Sequence, residues 1–74
     1  MKLHLPEERY VKISFYDVSG REVKTIDKGI MPPGRHDIIW DGTNNNGRLL
    51  TSGIYFARIR AGKEFAVRRV IIIR

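Results

Sequence analysis

The chain has 74 residues, no cysteine, two histidines and a formal net charge of +6. So short a chain holds one domain, residues 1–74, which cannot contain disulfides and lacks the usual ligands of a structural zinc site. No apolar run reaches the roughly 20 residues of a membrane helix, and the start MKLHLPEERY has an acidic pair and no apolar core, which is not typical of a signal peptide.

Short segments rich in Val, Ile, Tyr and Phe follow each other along the chain, separated by pairs of turn-forming residues. This rhythm predicts an all-β sandwich or barrel. In YVKISFYD, Val11, Ile13 and Phe15 share one face, so we expect them inside the fold. The VSGREV segment that follows predicts a tight hairpin in which Gly20 takes a positive φ.

The segment MPPGRHDIIWD combines a bend with a strand. Its two prolines predict the bend, because they remove two backbone donors from any sheet. Alternation then places Ile38 and Trp40 on one inner face, and we expect the indole of Trp40 to fill the space between two sheets. The residues after it, DGTNNNG, predict turns that carry the chain to the other sheet, because Asn, Asp and Gly favour the backbone conformations of turns.

The same asparagine-rich segment has a calcium alternative. Asp41, Thr43 and Asn45 would supply alternating oxygen ligands around a glycine, as calcium loops do. However, the segment has one carboxylate, and no bidentate glutamate follows it at the expected distance. We therefore interpret it as a turn and keep these three residues as the weaker calcium hypothesis.

The C-terminal third predicts a second hairpin. In IYFARIR, Tyr55 and Ile59 face inward, and AGKE supplies a turn with Gly62 at its centre. In FAVRRVIIIR the apolar parity changes at Arg68-Arg69, which predicts a β-bulge there. Across the whole chain, the predicted core comprises Val11, Ile13, Phe15, Ile38, Trp40, Tyr55 and Ile59. The predicted turn glycines are Gly20, Gly34, Gly42, Gly47 and Gly62.

Functional chemistry is sparse. No serine lies in a nucleophile motif, the aspartates are scattered, and neither His4 nor His36 has a nucleophile beside it in the sequence. We therefore expect no enzyme activity and no cofactor. The positive charge suits an acidic partner, and a basic, aromatic-dotted sheet face would bind single-stranded nucleic acid or an anionic glycan. The residues proposed for such a face are Phe56, Arg58, Arg60, Lys63 and Arg68.

Three blocks in order carry a family resemblance: LPEERYVKISFYDVSGREVKTI, MPPGRHDIIWDGTNNNGRLLTSGIYFARIRAG and FAVRRVIIIR. Together they resemble the immunoglobulin-like C-terminal domain of bacterial secreted proteins, from Leu3 to Arg74. This domain is described both as the type IX secretion sorting domain and as the Ig-like domain of the flagellar hook-capping protein. The resemblance implies an Ig-like antiparallel β-sandwich of about seven strands in two sheets.

The resemblance also implies a role. In the sorting branch, an outer-membrane secretion machine recognises the domain, which is secreted or held at the cell surface as part of a larger exported protein. The family's recognition elements match Gly53, Tyr55, Arg69, Val70, Ile71 and Ile72. The chain starts directly at the first strand, as expected of an excised or redesigned domain, or of a short stand-alone protein.

Our first expectation is thus a non-catalytic C-terminal sorting or anchoring module whose partners are the secretion machinery or its parent protein's other domains. The alternative is a structural module, either self-assembling through edge strands into a homo-oligomer or of the hook-capping type. A basic module for nucleic acid or anionic glycan is the third hypothesis. None of the three involves membrane insertion.

Overall fold

The computed structural model describes all 74 residues and contains six β-strands and no helix. Two antiparallel layers result: a two-stranded sheet, β1-β4, and a four-stranded sheet in the order β3-β2-β5-β6. The predicted Ig-like β-sandwich is confirmed, with six strands instead of about seven. No helix is present that could cross a membrane. The strands are β1 (Lys2–Leu5), β2 (Arg9–Tyr16), β3 (Glu22–Met31), β4 (Gly34–Asp37), β5 (Gly53–Ala61) and β6 (Glu64–Ile72).

The core lies between the two layers and follows the period-two pattern of β2 and β5. Val11, Ile13 and Phe15 are completely buried, and every second residue of β5 from Tyr55 onward is buried as well. The smaller sheet and the segment after β4 cover this face with Leu5 and Ile38. Of the seven predicted core residues six are buried, and Trp40 is half-buried against the same cluster.

Both predicted hairpins are present. Asp17 and Arg21 close the β2–β3 turn, where the N–H of Asp17 donates to the carbonyl of Arg21 at 3.0 Å. Gly62 and Lys63 form the two-residue turn between β5 and β6, in which Gly62 has a φ of +61°. Glycine adopts left-handed backbone of this kind without a steric penalty. All five predicted turn glycines have a positive φ: Gly20, Gly34, Gly42, Gly47 and Gly62.

The strand predicted to run through Trp40 is shorter than expected. β4 ends at Asp37, and the Met1–Ile38 pair closes its ladder: the Ile38 N–H donates to the carbonyl of Met1, and the ammonium group of Met1 donates back. Ile39 is then 84% exposed. Trp40 therefore reaches the core from a loop and keeps one side open to solvent.

The prediction of a β-bulge at Arg68-Arg69 is wrong. β5 and β6 pair without a register shift from Gly53–Ile72 to Ala61–Glu64. Arg68 therefore faces the same side as Ala66 and Val70, which is the inner face of the sheet. The arginine is tolerated there because the two-stranded layer does not extend over this part of β6, and Arg68 stays exposed.

Candidate functional site

The residues of the asparagine-rich loop hydrogen-bond to protein groups. Asp41 Oδ1 accepts from the N–H of Thr43 at 3.1 Å and from its hydroxyl at 2.6 Å. Asn45 points elsewhere, because its Oδ1 accepts from the N–H of Thr25 in β3 at 3.0 Å. No three His, Cys, Asp or Glu side chains lie close enough to hold a metal ion. The geometry is that of the predicted turn, with two of the three calcium candidates bonded to each other.

The hydrogen bonds of Asp41 also set its ionisation. The hydroxyl of Thr43, followed by the backbone N–H of Thr43, holds the pKa of Asp41 below its ordinary value. The nearby charge of Lys24 acts in the same direction. Asp41 is therefore a carboxylate at neutral pH, and it fixes the backbone immediately after the indole.

Trp40 is the centre of an aromatic group between the layers. Its ring stacks on Phe15 with centroids 4.1 Å apart, and it meets Tyr55 edge to face at 5.8 Å. The Nε1–H of Trp40 donates to the carbonyl of Thr43 at 3.0 Å. Thr43 is therefore a hydrogen-bond partner of both the indole and the Asp41 carboxylate. Loop and core are thus joined at one point, which explains why the turn residues follow the tryptophan directly.

Two five-residue turns share one hydrogen-bond pattern, in DVSGR (17–21) and NNNGR (44–48). In each turn, the side-chain Oδ1 of the first residue accepts from the N–H groups of the third and fifth residues. In each, the glycine N–H donates back to the first residue's carbonyl. The hydroxyl of Ser19, then the N–H groups of Arg21 and Ser19, lower the pKa of Asp17, whereas Asn44 makes the same bonds without a charge.

The second of these turns protects a sheet edge. Asn45 accepts from the N–H of Thr25 and donates its own N–H to the carbonyl of Val23 at 3.2 Å, so it pairs with the outer edge of β3. Such a cover stops other chains from pairing there. At the other end of the four-stranded sheet, β6 is the edge strand and pairs only with β5.

Arg74 holds the end of the chain to the loop, a contact that no motif in the sequence indicates. Its Nε donates to the carbonyl of Leu50 at 2.7 Å, and its Nη2 donates to the carbonyl of Gly42 at 3.0 Å. Its backbone N–H donates to the hydroxyl of Ser52 at 2.9 Å. A Cβ at Gly42 would lie 2.5 Å from Nη2 at the flexible end of the Arg74 side chain, so a larger residue would displace the guanidinium, and the φ of +76° is what favours glycine here.

The outer face of the four-stranded sheet is basic and apolar. The Arg58 guanidinium lies 4.2 Å from the centroid of the Phe65 ring and that of Arg60 lies 5.7 Å away, a cation–π arrangement. Neither arginine forms an ion pair with a carboxylate. Phe56 shares this face, but Arg68 faces the opposite side and Lys63 lies in the hairpin turn. The predicted basic face thus holds three of its five residues.

The residues that the resemblance assigned to recognition are brought together by the β5–β6 pairing. Gly53 is paired with Ile72, and Tyr55 with Val70, on the inner face. Arg69 and Ile71 belong to the outer face, where Ile71 is 57% exposed. The Tyr55 hydroxyl donates to the carbonyl of Thr51 at 2.8 Å, so this buried side chain anchors the loop before β5.

The two histidines do not meet. His4 is paired with Arg35 and His36 with Leu3, so their side chains point to opposite faces of the two-stranded sheet.

Comparison with known proteins gives one result. The family model described as the FlgD Ig-like domain matches residues 2–64. A search of curated proteins and a search of solved structures found no match. The match supports the hook-capping branch of the resemblance and gives no support to the type IX sorting branch. Since it spans most of the chain, from β1 to the first residue of β6, the protein belongs to the family of FlgD Ig-like domains.

Proposed function

We propose that the chain is a structural, non-catalytic module of the hook-capping type, which binds protein partners within an exported assembly. The family match over residues 2–64 carries this proposal. The arrangement of side chains is consistent with it, because the loop residues that suggested a metal or a catalytic pocket are used to hold the loop and the indole in place.

Strand edges are the physical means of binding. An edge presents unpaired N–H and C=O groups, and a partner's extended segment or a second copy can complete them. Asn45 covers part of the β3 edge, whereas β1, β4 and β6 each have a strand on one side only. The proposal therefore includes partner proteins and copies of the chain as ligands of these edges.

Genetics in the bacterium that encodes the chain tests the proposal. We expect an in-frame deletion of its coding region to shorten or abolish flagellar hooks in electron micrographs, and the intact region supplied in trans to restore them. Normal hooks combined with the loss of one protein from the cell surface would contradict the hook-capping proposal. That result would favour the sorting role, in which Tyr55 and Val70 belong to the recognised element.

A second function, binding of an anionic polymer, is favoured by one observation: Arg58 and Arg60 converge on Phe65 without a carboxylate partner. Chromatography on heparin and on immobilised single-stranded DNA tests it. Retention that falls steeply with salt, and that is lost in Arg58→Glu, supports it. Passage through both columns at low salt rejects it.

A further inference from the structure

One side of the sandwich is open. A groove of about 340 Å³ runs between β1 of the smaller sheet and the inner face of β5 and β6 in the larger one. Ile59 and Ala66 form its apolar floor, and Arg68 lies on the same face of β6. The groove lies where the smaller sheet, with two strands, fails to cover the four-stranded one.

The wall of this groove is the free edge of β1. Every residue from Lys2 to Pro6 lines it. Since successive side chains of a strand point to opposite faces, a cavity lined by all of them meets the strand along its edge. The other edge of β1 is occupied by β4.

The backbone groups that face the groove can be assigned. Met1 and Ile38 exchange both of their hydrogen bonds. In an antiparallel ladder such pairs alternate, so Leu3 and Leu5 also point their backbone groups at β4. The N–H and C=O groups of Lys2 and His4 therefore point into the groove without a strand to pair with. An incoming strand finds its donors and acceptors already aligned over the four residues of β1.

The charges around the groove select the ligand. Lys2 and Arg68 line it and form no ion pair. The acid in its lining, Glu64, already lies 3.6 Å from the guanidinium of Arg9. A strand with apolar side chains toward the floor and carboxylates beside Lys2 and Arg68 is complementary to this surface, because opposite charges attract at short range. A second copy matches this surface less well, because its net charge of +6 has the same sign.

We propose that this groove accepts an extended, acidic segment of a partner protein, which adds to β1 as a further strand and covers the inner face of β6. The inference rests on the proposed binding function and specifies its site and the chemistry of its partner. The strand would cover the half-buried Ala66 and would pair with the free groups of Lys2 and His4.

Amide exchange measured by NMR, with a synthetic peptide as the probe, tests the proposal. The peptide alternates Val and Glu and has blocked termini. We expect it to slow hydrogen exchange at Lys2 and His4, and to shift the amide signals of Ala66 and Arg68. Two matched peptides serve as controls: one with Lys in place of Glu, and one with methylated backbone nitrogens, which cannot complete a ladder. Neither should protect these amides.

Charge reversal provides the sharper result. Arg68→Glu should weaken binding of the Glu peptide roughly fivefold to tenfold and strengthen binding of the Lys peptide, because attraction becomes repulsion. Lys12→Glu, the same type of change on the outer face, should do neither. Circular dichroism confirms that both exposed substitutions leave the fold intact.

Several outcomes overturn the proposal. They are no protection of Lys2 and His4 at millimolar Glu peptide, shifts confined to the outer face around Phe56, and protection that appears with protein concentration alone, which would indicate a second copy. Binding of oligothymidylate in the groove would assign it to nucleic acid instead. None of these results depends on hook growth, so the groove and the proposed function fail separately.

Discussion

Trp40 is the residue at which loop and core depend on each other. It stacks on Phe15, touches Tyr55 and donates to the carbonyl of Thr43. We expect Trp40→Ala to lower the free energy of unfolding by about 3 kcal/mol, the lower end of the range for large aromatics, because the indole is half-buried. Trp40→Phe keeps the stacking and loses the hydrogen bond, at about 1 kcal/mol. Urea unfolding followed by circular dichroism measures both, and an alanine variant within about 0.5 kcal/mol of wild type contradicts the assignment.

The two five-residue turns at 17–21 and 44–48 allow a test of pH dependence at a single residue. The Ser19 hydroxyl and the N–H groups of Arg21 and Ser19 lower the pKa of Asp17 in the folded protein. A carboxyl group with a lowered folded pKa stabilises the protein above its unfolded pKa, near 4, and this stabilisation is lost as the pH falls through the folded pKa. Asp17→Asn should therefore lose less stability on acidification.

The reciprocal change completes this test. Asn44→Asp keeps an acceptor oxygen in the second turn and adds a titrating group, so it should increase the acid sensitivity that Asp17→Asn decreases. Thermal unfolding from pH 7 down to the acid range compares both variants with wild type. Parallel melting profiles for all three proteins would show that these turns do not contribute to the pH dependence.

At the scale of elements, the loop over β3 acts as an edge cover. Asn45→Ala removes the acceptor of the Thr25 N–H and leaves the fold's core untouched. We expect hydrogen exchange at Thr25 to become at least about tenfold faster, because the amide is then exposed to water at a sheet edge. Asn46→Ala is the matched control, since its side chain makes no hydrogen bond and the turn's backbone bonds remain. Equal hydrogen-exchange rates at Thr25 in both variants would contradict the proposal that Asn45 covers the edge of β3.

Element by element, the sequence predicts what period two and turn chemistry determine. The faces of β2 and β5 were predicted because Phe15 and Tyr55 lie in regular alternation, and the hairpins because Gly20 and Gly62 mark them. The parity of β6 differs from the prediction, because a sequence does not show that Arg68 faces an uncovered part of the sheet. The groove depends on which edge of β1 is free, which is a property of the assembled layers.

For the whole molecule, charge and apolar surface act against each other. The outer face of the four-stranded sheet exposes apolar side chains, while the net charge of +6 makes copies repel. Raising the salt from about 0.1 M to about 1 M shortens the screening length from about 10 Å to about 3 Å and removes much of this repulsion. The exposed apolar residues of this face are Ile54, Phe56, Phe65, Val67 and Ile71.

We therefore expect the average mass measured by sedimentation to rise with salt, as apolar faces associate once their charges are screened. Ile71→Lys should keep the protein monomeric, whereas Ile39→Lys, the same change at a residue outside the sheet, should behave like wild type. Binding of a polyanion has the opposite salt dependence, because it weakens as salt rises. The sign of the slope thus separates self-assembly from polyanion binding on the same surface, and a monomer at every salt concentration would leave partner proteins as the ligands of the module.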